Sequence, residues 1–454
     1  MTELRRAVGP WQLMLYGVGS MLGAGIYGLI GKAAGVMGGA VWMAFLVAMV
    51  AAMFTGISYA SIASRYPRAG GAAYVSHRAF GSPLVSYAIG LTVLCSGLSS
   101  IATQAKVIGE NLDEIFGLGG VGAEALRVVG TPLPVLLLAI GFLLLTAGIV
   151  YRGITESLWV NAVCTLLEAG GLLLVIVVGM RFWGQADLLA VPAGPADGGL
   201  TVALLLQGSI LTFFSFLGFE DMLNVAEEVE RPERSMPIAL IGAMLIASLI
   251  YVAVSITAVS VVPWRELAEA PGPLRLVIER AAPWFPAIGF SLITIAAVGN
   301  TALVNYVMGS RLLYGMAQQG LLPESLGRVH GARQTPHVAI LVLLVLVVAL
   351  QLAGDIEQLA SATVLLLLLV FVLVNLSLVM LQRREGDVAG AFNIPWIVPA
   401  IGSLICAVMI VAQVMQAGGR GTMLAAGLLA AILLLYLVTA RGRTAAIEKF
   451  ASDN

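Results

Sequence analysis

In a chain of 454 residues, 59% hydrophobic side chains, 11% charged ones and a mean hydropathy of +0.98 exclude the ordinary soluble globular class. So much apolar surface makes the lipid bilayer the expected solvent. A net charge of −1 with no long basic block excludes nucleic acid as an expected partner.

Runs of roughly 20 apolar residues, enough to cross a hydrocarbon core of about 30 Å, recur along the chain and predict twelve spans. They fall near residues 12–36, 40–63, 83–108, 132–150, 158–180, 200–226, 237–262, 284–310, 337–354, 359–381, 395–416 and 422–440. The first has no short apolar core followed by a small-residue cleavage site, so it reads as a retained helix and not a signal peptide. Its middle is the string Gly19-Ser20-Met21-Leu22-Gly23-Ala24-Gly25-Ile26-Tyr27. A membrane helix loses its hydrogen-bond ladder only where the freed backbone groups face protein, water or a ligand. The string therefore predicts a broken helix with a binding site, or small residues packed closely against a neighbouring helix.

The third span carries Lys106 four residues before Glu110, a spacing that puts both on one helix face as a pair. If Lys106 instead faces a substrate pathway, it disfavours basic substrates. Ser99, Ser100, Thr103 and Gln104 in this span, and Asn300 and Asn305 in the eighth, are candidates for side-chain recognition, although interhelical hydrogen bonds explain such residues equally well. Cys95, Cys164 and Cys406 lie inside apolar runs, which predicts small buried hydrophobes with no disulfide and no metal.

The sixth span reads Phe213-Phe214-Ser215-Phe216-Leu217-Gly218-Phe219-Glu220-Asp221 in its middle. A charge at membrane depth costs about 2.5 kcal/mol or more unless it faces protein or water, so Glu220 and Asp221 are expected to face inward. Defects in spans one and six open two five-helix halves of opposite direction, the pattern of a transporter's midplane site. Beyond the sixth span, Glu227, Glu228 and Glu230 sit close to Arg231 and Arg234. They read either as a state-dependent salt-bridge network with Arg68 or Arg311, or as a solvated charge cluster of little energetic weight. Pro232 and Pro237 are expected to end one helix and start the next.

With a cytoplasmic N-terminus, sixteen of the 24 Lys and Arg fall on inner segments, so both termini are predicted to be cytoplasmic. An intramembrane enzyme is not expected: His77, His330 and His337 lie in loops or helix ends, no H-E-x-x-H pair exists, and no cysteine cluster offers a metal site. A channel would need a continuous polar pore, whereas the inward polar groups gather around two helix breaks.

Four stretches in this order resemble the amino acid-polyamine-organocation (APC) superfamily, most nearly its bacterial permeases related to cationic amino acid transporters. They are the glycine string of span one; Tyr66-Pro67-Arg68-Ala69-Gly70-Gly71; Phe213 to Glu220 continuing into Ala226-Glu227-Glu228-Val229-Glu230-Arg231-Pro232-Glu233-Arg234; and Ser310-Arg311-Leu312-Leu313-Tyr314-Gly315-Met316-Ala317 with Gly320-Leu321-Leu322-Pro323. The resemblance implies an all-α integral membrane fold of 12 transmembrane helices in a single permease domain over residues 1–454. Its LeuT-like 5+5 inverted repeat would cover residues 12–182 and 200–382, helices 1 and 6 broken, followed by two helices over 394–441. It also implies an amino acid substrate carried by alternating access, with no cofactor, in a bacterial plasma membrane.

The substrate carboxylate would accept hydrogen bonds from the N–H groups of Gly23, Ala24, Gly25 and Ile26, where the dipole of the following half-helix favours an anion. The ammonium would meet carbonyls of Ser20 or Met21 and of Phe214, Ser215 and Leu217, with Phe214 as a gate; Phe216 and Phe219 have weaker claims. Glu220 reads either as a proton-coupling group at membrane depth or as a structural carboxylate. In span five, aligned on Asn161-Ala162-Val163, related proton-coupled permeases carry a lysine where this chain has Glu168. A carboxylate there can bind the proton, help hold sodium with other oxygens, pair with a base, or be satisfied by hydroxyls such as that of Thr165. Proton-coupled symport is the leading expectation; exchange, sodium coupling and a non-transporting amino acid sensor are the alternatives. Monomer and homodimer are both left open.

Overall fold

The computed structural model describes residues 4, 6–116, 127–128, 131–192, 200–270, 272–353, 356–416 and 420–439, and helices dominate them. In chain order the helices are α1 (Pro10–Leu22), α2 (Ala24–Met37), α3 (Val41–Arg65), α4 (Gly71–Phe80), α5 (Pro83–Phe116), α6 (Leu133–Arg152), α7 (Ile154–Gly179), α8 (Val202–Phe213) and α9 (Asp221–Asn224). There follow α10 (Pro232–Val261), α11 (Trp264–Glu269), α12 (Pro273–Ala281), α13 (Ala287–Gln318), α14 (His337–Ala353), α15 (Ile356–Glu385), α16 (Ile397–Gln416) and α17 (Arg420–Thr439). Two-residue strands, β1 (Arg127–Val128) and β2 (Thr131–Pro132), pair antiparallel between α5 and α6.

Among the described residues nine helical stretches are long and apolar enough to cross a membrane, and His337–Leu352 and Met423–Leu437 are apolar but shorter. The first predicted span is divided: α1 has 13 residues and α2 has 14, each short of the roughly 20 that a crossing needs. Large apolar side chains such as Leu144, Leu173, Leu249 and Leu404 stand exposed on the outer helix faces, as expected of surface that meets lipid and not water.

The broken segments sit at the centre of the packing. α1 packs against α7, α10 and α13, while α2 packs against α8, α11 and α12. Pro232 takes the first position of α10, where its missing N–H costs nothing. Pro237, expected at a helix start, lies inside α10 instead. Its ring leaves the Glu233 carbonyl without the usual intrahelical donor, and Ser64 of α3 supplies one at 3.0 Å. That replacement bond ties α3 to α10 and explains how the helix continues through a proline.

Candidate functional site

Both predicted breaks exist, and they touch. α1 stops at Leu22 and α2 starts at Ala24, with Gly23 alone outside helical geometry at φ −51° and ψ −139°. The sixth span is interrupted over a longer stretch. After α8 comes a tight 3-10 turn over Phe214–Phe216, then an extended Leu217, then Gly218 at φ 120°, before α9 begins at Asp221. A side chain on Gly218 would be strained by that φ and would press on the Ser20 carbonyl oxygen at 2.8 Å. A Cβ on Gly25 would stand 2.9 Å from the Ser215 α-carbon, backbone against backbone. Glycine is therefore required where the two broken segments meet.

Two side chains fasten the meeting point. The Ser20 hydroxyl donates to Asp221 Oδ2 at 2.9 Å. Tyr251, fully buried in α10, directs its hydroxyl at the Met21 carbonyl and, at 2.7 Å, at the Ser215 carbonyl. Phe45 and Phe216 hold the Tyr251 ring, with centroids 5.6 and 5.2 Å away. Tyr251→Phe is expected to keep the fold and to weaken substrate affinity by about tenfold, the usual worth of one buried hydrogen bond; a thermal-shift titration with amino acids checks this.

Around the junction lies a cavity of about 350 Å³, at the small end of ligand pockets, which span roughly 300–1,000 Å³. Of the predicted site residues, Ser20, Met21, Gly25, Phe214, Leu217 and Glu220 line it. Gly23, Ile26 and Ser215 stand behind that wall. Gly23 is pressed against Thr301 of α13, Ile26 is wholly buried, and the buried Ser215 hydroxyl has no hydrogen-bond partner among the described residues. Ala24 begins α2, but its side chain lies outside the described ones. Glu220 Oε2 accepts the Gly218 N–H at 2.8 Å, fixing the carboxylate to its own turn. Phe216 and Phe219 are core residues; Phe219 packs on Tyr59 and Phe371. Ser99, Ser100, Thr103, Gln104 and Asn305 also face the cavity, whereas Asn300 and Lys106 do not. Among the described residues Lys106 pairs with no carboxylate, Glu110 included.

Glu168 sits in a separate, fully buried cluster between α1, α7 and α13. Asn300 Nδ2 approaches Glu168 Oε2 at 3.4 Å and donates to Thr165 Oγ1 at 2.9 Å, while Asn161 Nδ2 donates to Asn300 Oδ1 at 2.9 Å. Thr165 in turn donates to the Leu15 carbonyl at 3.3 Å. The hydroxyl expected to satisfy Glu168 is thus spent elsewhere, and an amide takes its place. Glu168 Oε1 and Asn161 Oδ1 remain without donors among the described residues. Gly19 faces the same cluster, and a Cβ there would overlap Thr165 and Asn300.

On the face that carries the N-terminal segment, several elements are tied together around Glu228. Ala7 and Val8 donate their N–H groups to the Glu228 carbonyl at 3.0 Å each, and Glu230 returns one to Val8 at 2.9 Å. Of the two expectations for this charge cluster, the buried ion pair is the one found. Arg311 Nε meets Glu228 Oε2 at 3.0 Å with side-chain exposures of 0% and 1%, and Arg311 Nη2 reaches the other carboxylate oxygen at 3.4 Å. Burial pushes the Glu228 carboxyl above its ordinary range while Arg311 beside it pulls it back. Glu227 Oε2 accepts the Ala69 N–H at 2.9 Å, and Gly70 is pressed against Gly315, so the stretch 66–71 is wedged between α9 and α13. On the opposite face, beneath α11 and α12, a wider cavity of about 1030 Å³ shares Thr103 and Gln104 with the central one.

Tyr251, Asp221 and Thr301 were missed as site residues. Asp221 was legible as the neighbour of Glu220, but a lone tyrosine in an apolar span carries no signal that it points at two broken helices.

The profile of the family described as amino acid permease matches residues 8–438. The chain is 29% identical over 426 residues to the branched-chain amino acid permease BcaP of Bacillus subtilis (strain 168), covering 90% of this chain and 88% of that protein. It is 31% identical over 398 residues to cationic amino acid transporter 4 of Mus musculus, covering 85% of this chain and 61% of that protein. It is also 28% identical over 423 residues to the methylthioribose transporter of Bacillus subtilis (strain 168), covering 89% of this chain and 87% of that protein. Apolar spans, paired helix breaks and this kinship agree on a multi-pass membrane transporter and not an enzyme. The chain belongs to the amino acid permease family, within the APC superfamily.

Proposed function

We propose that the protein is a secondary active amino acid transporter, a proton-coupled symporter working by alternating access on a 5+5 inverted repeat with two additional helices. The observation that carries the reading is the direct contact of two interrupted membrane helices around one small polar cavity. The first N–H groups of α2, from Ala24 to Ile26, have no intrahelical acceptors and sit at the positive end of a helix dipole, which suits an α-carboxylate. Carbonyls of Ser20, Met21, Phe214 and Leu217 stand close by for the ammonium, and Phe214 acts as the gate between the central cavity and its approach. With the N-terminal face cytoplasmic in a bacterial plasma membrane, the cavity opens outward while the Glu228–Arg311 pair seals the inside.

Glu168 carries the coupling proton. Its unpartnered oxygen in a buried cluster of amide and hydroxyl groups has a use for a proton, and that cluster rests on α1 through Leu15 and Gly19. Glu220 links protonation to the turn at Gly218. The test is uptake of amino acids by proteoliposomes under an imposed inward proton gradient. The wild-type chain should accumulate substrate in response, and Glu168→Gln should lose gradient-driven accumulation while retaining exchange. Full pH-driven accumulation by that variant removes Glu168 from coupling. Uptake by the wild type that ignores the gradient yet responds to amino acid inside makes the protein an exchanger, and a sodium requirement moves the coupling to that ion.

A further inference from the structure

We propose that the central cavity selects amino acids with a cationic side chain, held by Asp221 together with Gln104 and Asn305. This rests on the transport reading above and names the substrate class at that site. The lining carries acidic side chains and no basic ones. Two carboxylates, Glu220 and Asp221, face it, and no Lys or Arg does. Three of the hydroxyl protons on the lining are turned away: Ser99 donates to the Cys95 carbonyl at 2.8 Å, Thr103 to the Ser99 carbonyl at 2.9 Å and Thr301 to the Ala297 carbonyl at 3.2 Å. Asn305 likewise commits its amide N–H to the Thr301 carbonyl at 2.9 Å. What these groups leave facing the cavity are oxygen lone pairs.

Gln104 is independent of the acidic pair. It is 6% exposed, lines the cavity, and has no hydrogen-bond partner among the described residues. Its amide atoms open onto the cavity, where a ligand group can pair with them. Asp221 Oδ2 is engaged by Ser20 and Glu220 Oε2 by Gly218, leaving one oxygen of each carboxylate for a cation. Tyr251 engages the carbonyls of Met21 and Ser215, which leaves those of Ser20, Phe214 and Leu217 for the α-ammonium and the carboxylates for a side-chain cation. Met21, Leu29, Val364 and Leu367 supply apolar contact for an aliphatic stem. Along the approach Glu279 is paired with Arg275 and Glu266 with Arg280, which leaves Glu269 as the carboxylate without a basic partner among the described residues lining the wider cavity.

Lysine and norleucine separate the alternatives, because norleucine is lysine without its side-chain ammonium. Purified full-length protein should bind lysine at least about tenfold more tightly than norleucine in thermal-shift titrations, a difference of about 1.4 kcal/mol. Asp221→Asn should bring the two affinities together, and Gln104→Leu should weaken lysine severalfold without changing norleucine. Equal or tighter binding of norleucine by the wild type overturns the proposal, as does an unchanged lysine preference in Asp221→Asn. Should Asp221→Asn fail to fold, the wild-type ratio and Gln104→Leu decide. Uptake of neutral amino acids in preference to lysine would sink this inference while leaving amino acid transport standing, whereas no uptake of any amino acid would sink the transport reading itself.

Discussion

Gly25→Val is expected to yield a protein that still runs as a single species in detergent but no longer binds or takes up amino acid. The glycine α-carbon lies on the wall of the central cavity, and even a methyl group there would sit 2.9 Å from the α-carbon of Ser215. The obstructing atom is backbone, so no rotamer change relieves the contact. Valine adds two further carbons and forces α2 away from the 3-10 turn of the sixth span. That movement withdraws the free N–H groups of α2 from the place where they would meet a carboxylate. The expected loss is complete within the sensitivity of a radiolabel uptake assay. Affinity equal to wild type would show that the carboxylate binds elsewhere.

Arg311→Ala should destabilise the protein by about 3–5 kcal/mol, because removal of one partner leaves the other charge buried without compensation. Both side chains are almost wholly out of solvent, and the guanidinium also donates to Ser310 at 2.9 Å. Arg311→Lys should recover only part of the loss, since an ammonium cannot reproduce the two-pronged contact. Joint replacement of Glu228 and Arg311 by Leu and Met should be far milder than the single change, because no charge is then stranded. Thermal unfolding in detergent compares the three. A single variant as stable as the wild type would show that water reaches the pair.

The membrane class, the positions of the apolar runs and the location of both helix breaks were readable in the residues. Apolar length and misplaced glycine and acidic residues are local signals, and the bilayer imposes them strongly. The extent of each break was not readable. The string from Gly19 to Tyr27 predicts a break without marking its extent; only Gly23 leaves helical geometry, and the other two glycines, Gly19 and Gly25, serve close approach to α7, α13 and the sixth span. The sixth span behaves in the opposite way, with irregular backbone from Leu217 to Glu220 and a short helix after it. Which acid pairs with which base is a long-range matter. Glu228 and Arg311 are 83 positions apart, and nothing in the local charge run separates a buried fork from a solvated cluster. Tyr251 belongs to the same class of omission, since its role depends on two carbonyls 230 and 36 positions away. Pro237 shows a local rule overruled, as the proline sits within α10 because a serine on another helix replaces the missing donor.

Glu228 joins three elements through different atoms. Its carbonyl holds the segment before α1, its carboxylate holds α13, and its backbone belongs to the chain leaving the sixth span. It works as a rivet. For the start of α1 to part from α13, either the main-chain bonds at the Glu228 carbonyl or the ion pair at its carboxylate must break, so one residue ties the three elements of this face together.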